Sequence, residues 1–245
     1  TTTNDASSTG VGTIDSVYQA NTTAGFSIVT HTGSGSAGNI AHGLGAVPEW
    51  IVTKNRTDNG QSWANYHASV GNGYYLELDT TDAQESASSV WGDTTPSSTT
   101  FRVGGANGKN NASSKNYVTY CFTSIQGYSK FGSYKGNGAE PGGPFVYLGF
   151  KPAWLMIKAY SEAGQSWFLT DNKRSPTNEI TKRFFPNLDN AEAEASGDNN
   201  LDYLSNGFRI TTQDDGLNKS GVSYVYFAFA ESPFVSSEGV PTTAR

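Results

Sequence analysis

Apolar residues in this chain come in short bursts that alternate with polar ones, and glycine-rich turns separate the bursts. Gly25 to Thr32 carries a β-branched run closed by the turn GSGSAG, which predicts a strand. In Trp50 to Lys54, Trp50, Val52 and Lys54 share one face while Ile51 and Thr53 share the other. Pro48 precedes this strand, where a missing ladder donor matters least. Asp58-Asn59-Gly60 predicts a hairpin turn into Ser62 to His67. Tyr74 to Asp79 alternates again, with Tyr75, Glu77 and Asp79 opposed to Tyr74, Leu76 and Leu78. The polar residues Thr80 to Ser98, which include Trp91, read as a long loop; Thr99 to Val103 and Tyr117 to Thr123 read as strands around the turn GGANGKNN. Helical periodicity is confined to a turn at Ala191 to Ala195. Thr1 to Ala24 is polar, with few large apolar groups, and reads as a linker cut from something longer upstream.

The pattern runs through the chain twice. Leu44 to Trp63 matches Leu148 to Trp167 at nine of twenty positions without a gap, ending in Gly-Gln-Ser-Trp both times. Tyr117 to Phe122 answers Tyr224 to Phe229, and Phe101-Arg102-Val103 answers Phe208-Arg209-Ile210. This is the signature of an internal duplication. It predicts an all-β chain of two tandem antiparallel β-sandwich, jelly-roll-like modules at 25–126 and 127–235, with an extension at 1–24 and a tail at 236–245. In the second copy Trp154 to Ile157 is apolar on both faces, as for a strand between layers.

Composition narrows the function classes. The 28 glycines in 245 residues fit many tight turns, and the net charge of −6 argues against the basic stripe that nucleic acid requires. A single cysteine, Cys121, excludes an intramolecular disulfide framework and reads as a small apolar filler. No apolar run reaches the eighteen or so residues of a membrane helix, and no signal peptide opens the chain.

Several stretches act together as motifs: Ala24 to Val29, His42 to Pro48, Tyr120 to Thr123, Gly127 to Gly138, Gly149 to Ala153 and Asp171 to Pro176. In this combination the chain resembles an uncharacterised domain found near the C-terminal end of phage tail and other virion-associated proteins, many from marine phages. The resemblance runs from Gly25 almost to the end, where SPFVSSEGVPTTAR looks like the natural terminus of such proteins. It implies a virion location, other virion proteins as partners, action outside the host cell, and a place after a lectin-like or fibre segment. It carries no chemistry with it.

Candidate sites then follow from residue type. Trp63 and Trp167 occupy equivalent places and read either as core anchors or as platforms for sugar rings. Trp50 and Trp154 read as core; Trp91, in a polar loop without a repeated partner, reads as an exposed platform. Tyr66 and His67 are adjacent, and with a cation from Lys54, Arg56, Arg102 or Arg174 they match the set of a polysaccharide lyase. There the cation neutralises a uronate carboxylate while His or Tyr moves the α-proton; the alternative is a structural pair. Lys173-Arg174 and Lys182-Arg183 read as an acidic-glycan contact or as solvated loops. His31, His42 and His67 lack metal-ligand spacing, so neither metal nor cofactor is expected. Asp58, Asn59, Asp79, Asp214 and Asp215 offer loop calcium ligands at most.

The expected function is host attachment, binding a cell-surface or extracellular glycan through Trp91, Trp63, Trp167, Tyr66, His67 and Arg174, in a fibre that is typically trimeric. The alternatives are a virion-borne depolymerase or lyase acting on an acidic polysaccharide, and a purely structural virion domain.

Overall fold

The structure is a computed structural model, and it describes residues 1–86, 88–194 and 201–231. The protein is all-β, and every pair of named strands is antiparallel. It divides into two compact units: unit 1 is Thr1–Leu78 with Gln84–Ser124, and unit 2 is Asp79–Ala83 with Ile125 onward.

Unit 1 contains β1 (Thr2–Asn4), α1 (Ala6–Thr9), β2 (Ser16–Asn21), β3 (Phe26–Thr32), β4 (Gly38–Ala41), β5 (Trp50–Asn55) and β6 (Ala64–His67). It continues with β7 (Tyr74–Glu77), β8 (Glu85–Ser86), α2 (Ser88–Trp91), β9 (Thr100–Val103) and β10 (Asn116–Phe122). One sheet runs β1-β2-β3-β10-β5-β6-β7-β8, and β4 pairs with β9 apart from it. The last strand, β10, inserts between β3 and β5, so Cys121 lies opposite both Ser27 and Ile51. Directly opposed residues share a face. Val29, Ile51, Tyr66 and Cys121 thereby line one side of the sheet and pack against Ile40, Phe101 and Val103 of β4 and β9. Each such burial contributes about 1.5–3 kcal/mol.

Residues 1–24 are not a linker. β2 pairs along its length with β3, and β1 pairs with β2. Ile14 joins the core, and the Asp5 carboxylate caps α1 by accepting from the amides of Ser7 and Ser8. The ladder to β3 holds this segment, so it needs few apolar side chains of its own.

The abundant asparagines are largely internal. Asn111 donates to the carbonyls of Ser36 and Gly104 and accepts from the Ser34 amide. Asn55 donates to the Gly108 carbonyl at 2.8 Å and accepts from the amides of Thr57 and Asp58. These amides fold long loops that have no apolar core of their own.

Unit 2 contains β11 (Ser129–Lys135), β12 (Phe145–Tyr147), β13 (Trp154–Ala159), β14 (Phe168–Asp171) and β15 (Lys182–Arg183). Then come β16 (Ala193–Glu194), β17 (Leu201–Leu204), β18 (Gly207–Ile210), α3 (Asp215–Asn218) and β19 (Ser223–Phe229). Its sheets run β11-β19-β13-β14, β12-β18-β17 and β15-β16. Leu155, Ile157, Tyr226 and Ala228 form one core with Val146, Phe208 and Ile210. Gly132 leaves room for the Tyr226 ring, whose hydroxyl would lie 2.5 Å from a Cβ there. Ala193–Glu194 is a strand rather than part of a helical turn. Residues 236–245, read as a tail, lie outside the described residues.

Candidate functional site

The structure disperses most of the residues that the sequence nominates. Trp91, expected at the surface, is 2 % exposed and meets Tyr66 edge-on, with ring centroids 6.1 Å apart. The short helix α2 turns Val90 and Trp91 inward while Ser88 and Ser89 face out, so polar neighbours conceal a core turn. Trp167 is fully buried against Phe227, the core-anchor reading. Trp63 is half-buried, with the Lys54 ammonium 5.4 Å from its ring centre.

The repeated motif has a local explanation. In unit 1 the Lys54 ammonium donates to the Gln61 carbonyl; in unit 2 Lys158 Nζ donates to the Gln165 carbonyl at 2.6 Å. In each unit, the lysine next to the end of the strand ties down the backbone of the Gly-Gln-Ser-Trp segment. Lys158 is wholly buried and donates also to the Thr81 carbonyl at 3.2 Å.

The residues proposed for lyase chemistry do not converge. Tyr66 and His67 are buried and, as neighbours in β6, point to opposite faces of the sheet. His67 Nδ1 accepts from the Ser69 amide at 3.1 Å. Burial, and then the Glu49 carboxylate, raise the Tyr66 phenol pKa, which opposes a role as base. Arg102 sits on β9 and donates to Asn39 Oδ1 at 3.4 Å, while Lys54 is held by Gln61. A general base must come within hydrogen-bond reach of a substrate proton, and both Tyr66 and His67 are buried. A groove of about 320 Å³ in unit 1 is lined by Asp15, His31 and Arg56 among others, and neither Tyr66 nor His67 lines it.

The nominated charges are engaged as well. Arg174 pairs with Asp171 and with Glu192 at 2.9 Å, and its guanidinium stacks 4.1 Å from the Phe184 ring centre. Lys173 pairs with Glu231. Among the calcium candidates, Asp58 pairs with Lys115 at 2.7 Å and Asp215 with Lys219 at 3.3 Å. Asp214 accepts from the Gly216 amide at 2.8 Å.

The aromatic surface lies elsewhere, on β12. Phe145 is 49 % and Tyr147 60 % exposed, while Val146 between them is buried. Alternate residues of a strand stand about 7 Å apart on one side, so the two rings form a row. Arg209 of β18 lies opposite Phe145 and Gly207 opposite Tyr147. One strand further, Asp202 of β17 lies opposite Arg209. Gly207 leaves room for the Phe145 ring, which reaches 3.2 Å from where a Cβ would be. Lys130 of β11 donates to the Tyr147 carbonyl at 2.8 Å, its ammonium 5.3 Å from the Tyr147 ring centre. The sequence does carry this signal, since Phe145-Val146-Tyr147 places aromatics at both outward positions where patterning calls for polar residues. Such a face offers stacking surface with charged hydrogen-bond donors at its edge.

No helix among the described residues is long and apolar enough to cross a membrane. No curated protein and no solved structure matches the chain. A family match, by contrast, covers residues 1–233. The chain therefore belongs to the family described as a domain of unknown function, DUF7483.

Proposed function

We propose that this protein is a glycan-binding attachment module, carried on a phage virion and directed at a host-surface or extracellular polysaccharide. The observation that carries the reading is the exposed Phe145–Tyr147 row on the outer face of β12. Contiguous exposed apolar surface rimmed by polar residues marks an interaction site, and Phe145 and Tyr147 are the most exposed of the large apolar side chains among the described residues. Tyrosine and phenylalanine offer large apolar faces on which the apolar faces of sugar rings can stack. So small a face binds weakly, and a trimeric fibre multiplies it through effective concentration. The virion setting rests on the motif resemblance, from Ala24 to Val29 through Asp171 to Pro176.

The two units are further read as β-sandwich modules from one duplication. In unit 1 the order β3-β10-β5-β6 parallels β11-β19-β13-β14 in unit 2, which supports that reading. The lysine–glutamine contact present in each unit supports it too.

The test is electrophoresis of the whole chain through gels containing a panel of bacterial and marine polysaccharides, with product analysis alongside. Retardation without shortened chains, abolished in Phe145→Ala/Tyr147→Ala, is the expected outcome. Retardation that survives this double substitution removes the aromatic row from the binding site. Shortened chains would make the protein a depolymerase.

A further inference from the structure

Resting on the glycan-binding reading, we infer that the polymer held on this face is anionic. Sugar faces lie on Phe145 and Tyr147, and the acid groups of the polymer meet Lys130 and Arg209. The chain as a whole carries a net charge of −6, so a cationic site on it has to be local. Several lysines and arginines elsewhere are ion-paired: Lys109 with Glu77, Lys115 with Asp58, Lys219 with Glu162, and Arg174 with Asp171 and Glu192. Among the described residues, Lys130 and Arg209 have no carboxylate within ion-pair distance. Asp202 is the carboxylate nearest in register to Arg209, and two cations against this one acid leave the face net positive.

The placement is also suited to a polymer. Arg209 lies opposite Phe145 on the neighbouring strand, and Lys130 lies against Tyr147 at the other end of the row. Each ring thus has one cation beside it. A guanidinium presents paired donors to a carboxylate or a sulfate, and an ammonium acts as a point charge. An acidic sugar stacked on either ring directs its charge to the cation alongside, and the next sugar repeats the arrangement about 7 Å on. Arg209 is exposed and Lys130 half-exposed, so replacing either leaves the core intact.

The experiment compares a uronate polymer, the same polymer after chemical reduction of its carboxyls, a sulfated polymer and a neutral polymer, all by affinity electrophoresis. The proteins are wild type, Arg209→Gln, Lys130→Gln and Tyr147→Ala. Wild type is expected to bind an acidic polymer at least about tenfold more tightly than the carboxyl-reduced one, tenfold being about 1.4 kcal/mol. Arg209→Gln should lose most of that preference, and added salt should weaken wild type more than the variant. Retardation by only the uronate or only the sulfated polymer supports the inference and identifies the acid. Equal binding to the uronate and reduced polymers, lost in Tyr147→Ala, overturns the anionic preference and leaves glycan binding standing. Retardation by none of the four polymers overturns both.

Discussion

Lys158 sets a measurable pH dependence on the stability of unit 2. Its side chain is fully buried in β13, with two carbonyl partners, Gln165 and Thr81. Desolvation lowers its pKa from an ordinary 10.5 to about 8, against the opposing pull of the Asp82 carboxylate. Below pH 8 both the folded and the unfolded chain hold the proton, and the folded state bears the cost of a buried ammonium. Between about 8 and 10.5 only the unfolded chain holds it, so stability rises with pH across that window. At 1.36 kcal/mol for each pH unit, the full gain is about 3 kcal/mol, most of it reached by pH 10. Lys158→Met abolishes this titration and leaves two carbonyls without a donor, at about 1–3 kcal/mol each. At pH 7 that loss is set against relief from the buried charge, so the variant is only modestly destabilised. At pH 10 the wild-type amine is neutral and still donates, and the deficit of the variant grows by about 2–3 kcal/mol. The assay is urea unfolding followed by tryptophan fluorescence, with wild type and variant paired at each pH from 7 to 10. Pairing cancels the buried phenols of Tyr134, Tyr203 and Tyr224, whose raised pKa values act oppositely above pH 10. A difference between the two proteins that stays constant from pH 7 to 10 would refute the reasoning.

One further substitution and one deletion bear on the corrected elements. Trp91→Ala should destabilise unit 1 by about 3–5 kcal/mol, because it opens a large cavity beside Tyr66; an unchanged urea midpoint would return Trp91 to the surface. Deleting residues 1–21 should lower unit 1 stability by at least about 2 kcal/mol, through loss of Ile14 burial and of the β2–β3 ladder. A true linker would leave the thermal midpoint where it was.

Strands with their own apolar alternation were legible in the sequence, and elements held by neighbours were not. β3, β5, β9 and β10 fall where FSIVT, the Trp50 run, Thr99 to Val103 and YVTYCF predict them. The turn at Asp58-Asn59-Gly60 leads into β6 as expected. β1 and β2 were not legible because their stability comes from backbone pairing to β3, which is a long-range contact. α2 was hidden for a related reason: one turn of helix carries two buried residues among serines, too few to show a period. Asparagines pinning the loops look the same in sequence as asparagines on a polar surface.

The candidate site escaped notice because repetition draws attention to the wrong residues. The two matching stretches share Lys54/Lys158 and Gly-Gln-Ser-Trp, and there the structure shows the same closure in each unit, ammonium to glutamine carbonyl. The shared lysine–glutamine contact serves folding, so a binding surface is better sought where the two stretches differ. By strand pairing, Phe145 and Tyr147 fall on Asn39 and Ala41: Phe145 lies opposite Arg209 as Asn39 lies opposite Arg102, and Tyr147 lies opposite Gly207 as Ala41 lies opposite Thr100. In unit 1 Asn39 accepts from the Arg102 guanidinium, and Ala41 is buried with its carbonyl accepting from the Ser16 hydroxyl of β2. Unit 2 instead carries two rings there and leaves Tyr147 60 % exposed. The strand of unit 1 that corresponds to β12 thus lacks the surface that unit 2 displays, and any ligand of the aromatic row engages one unit only.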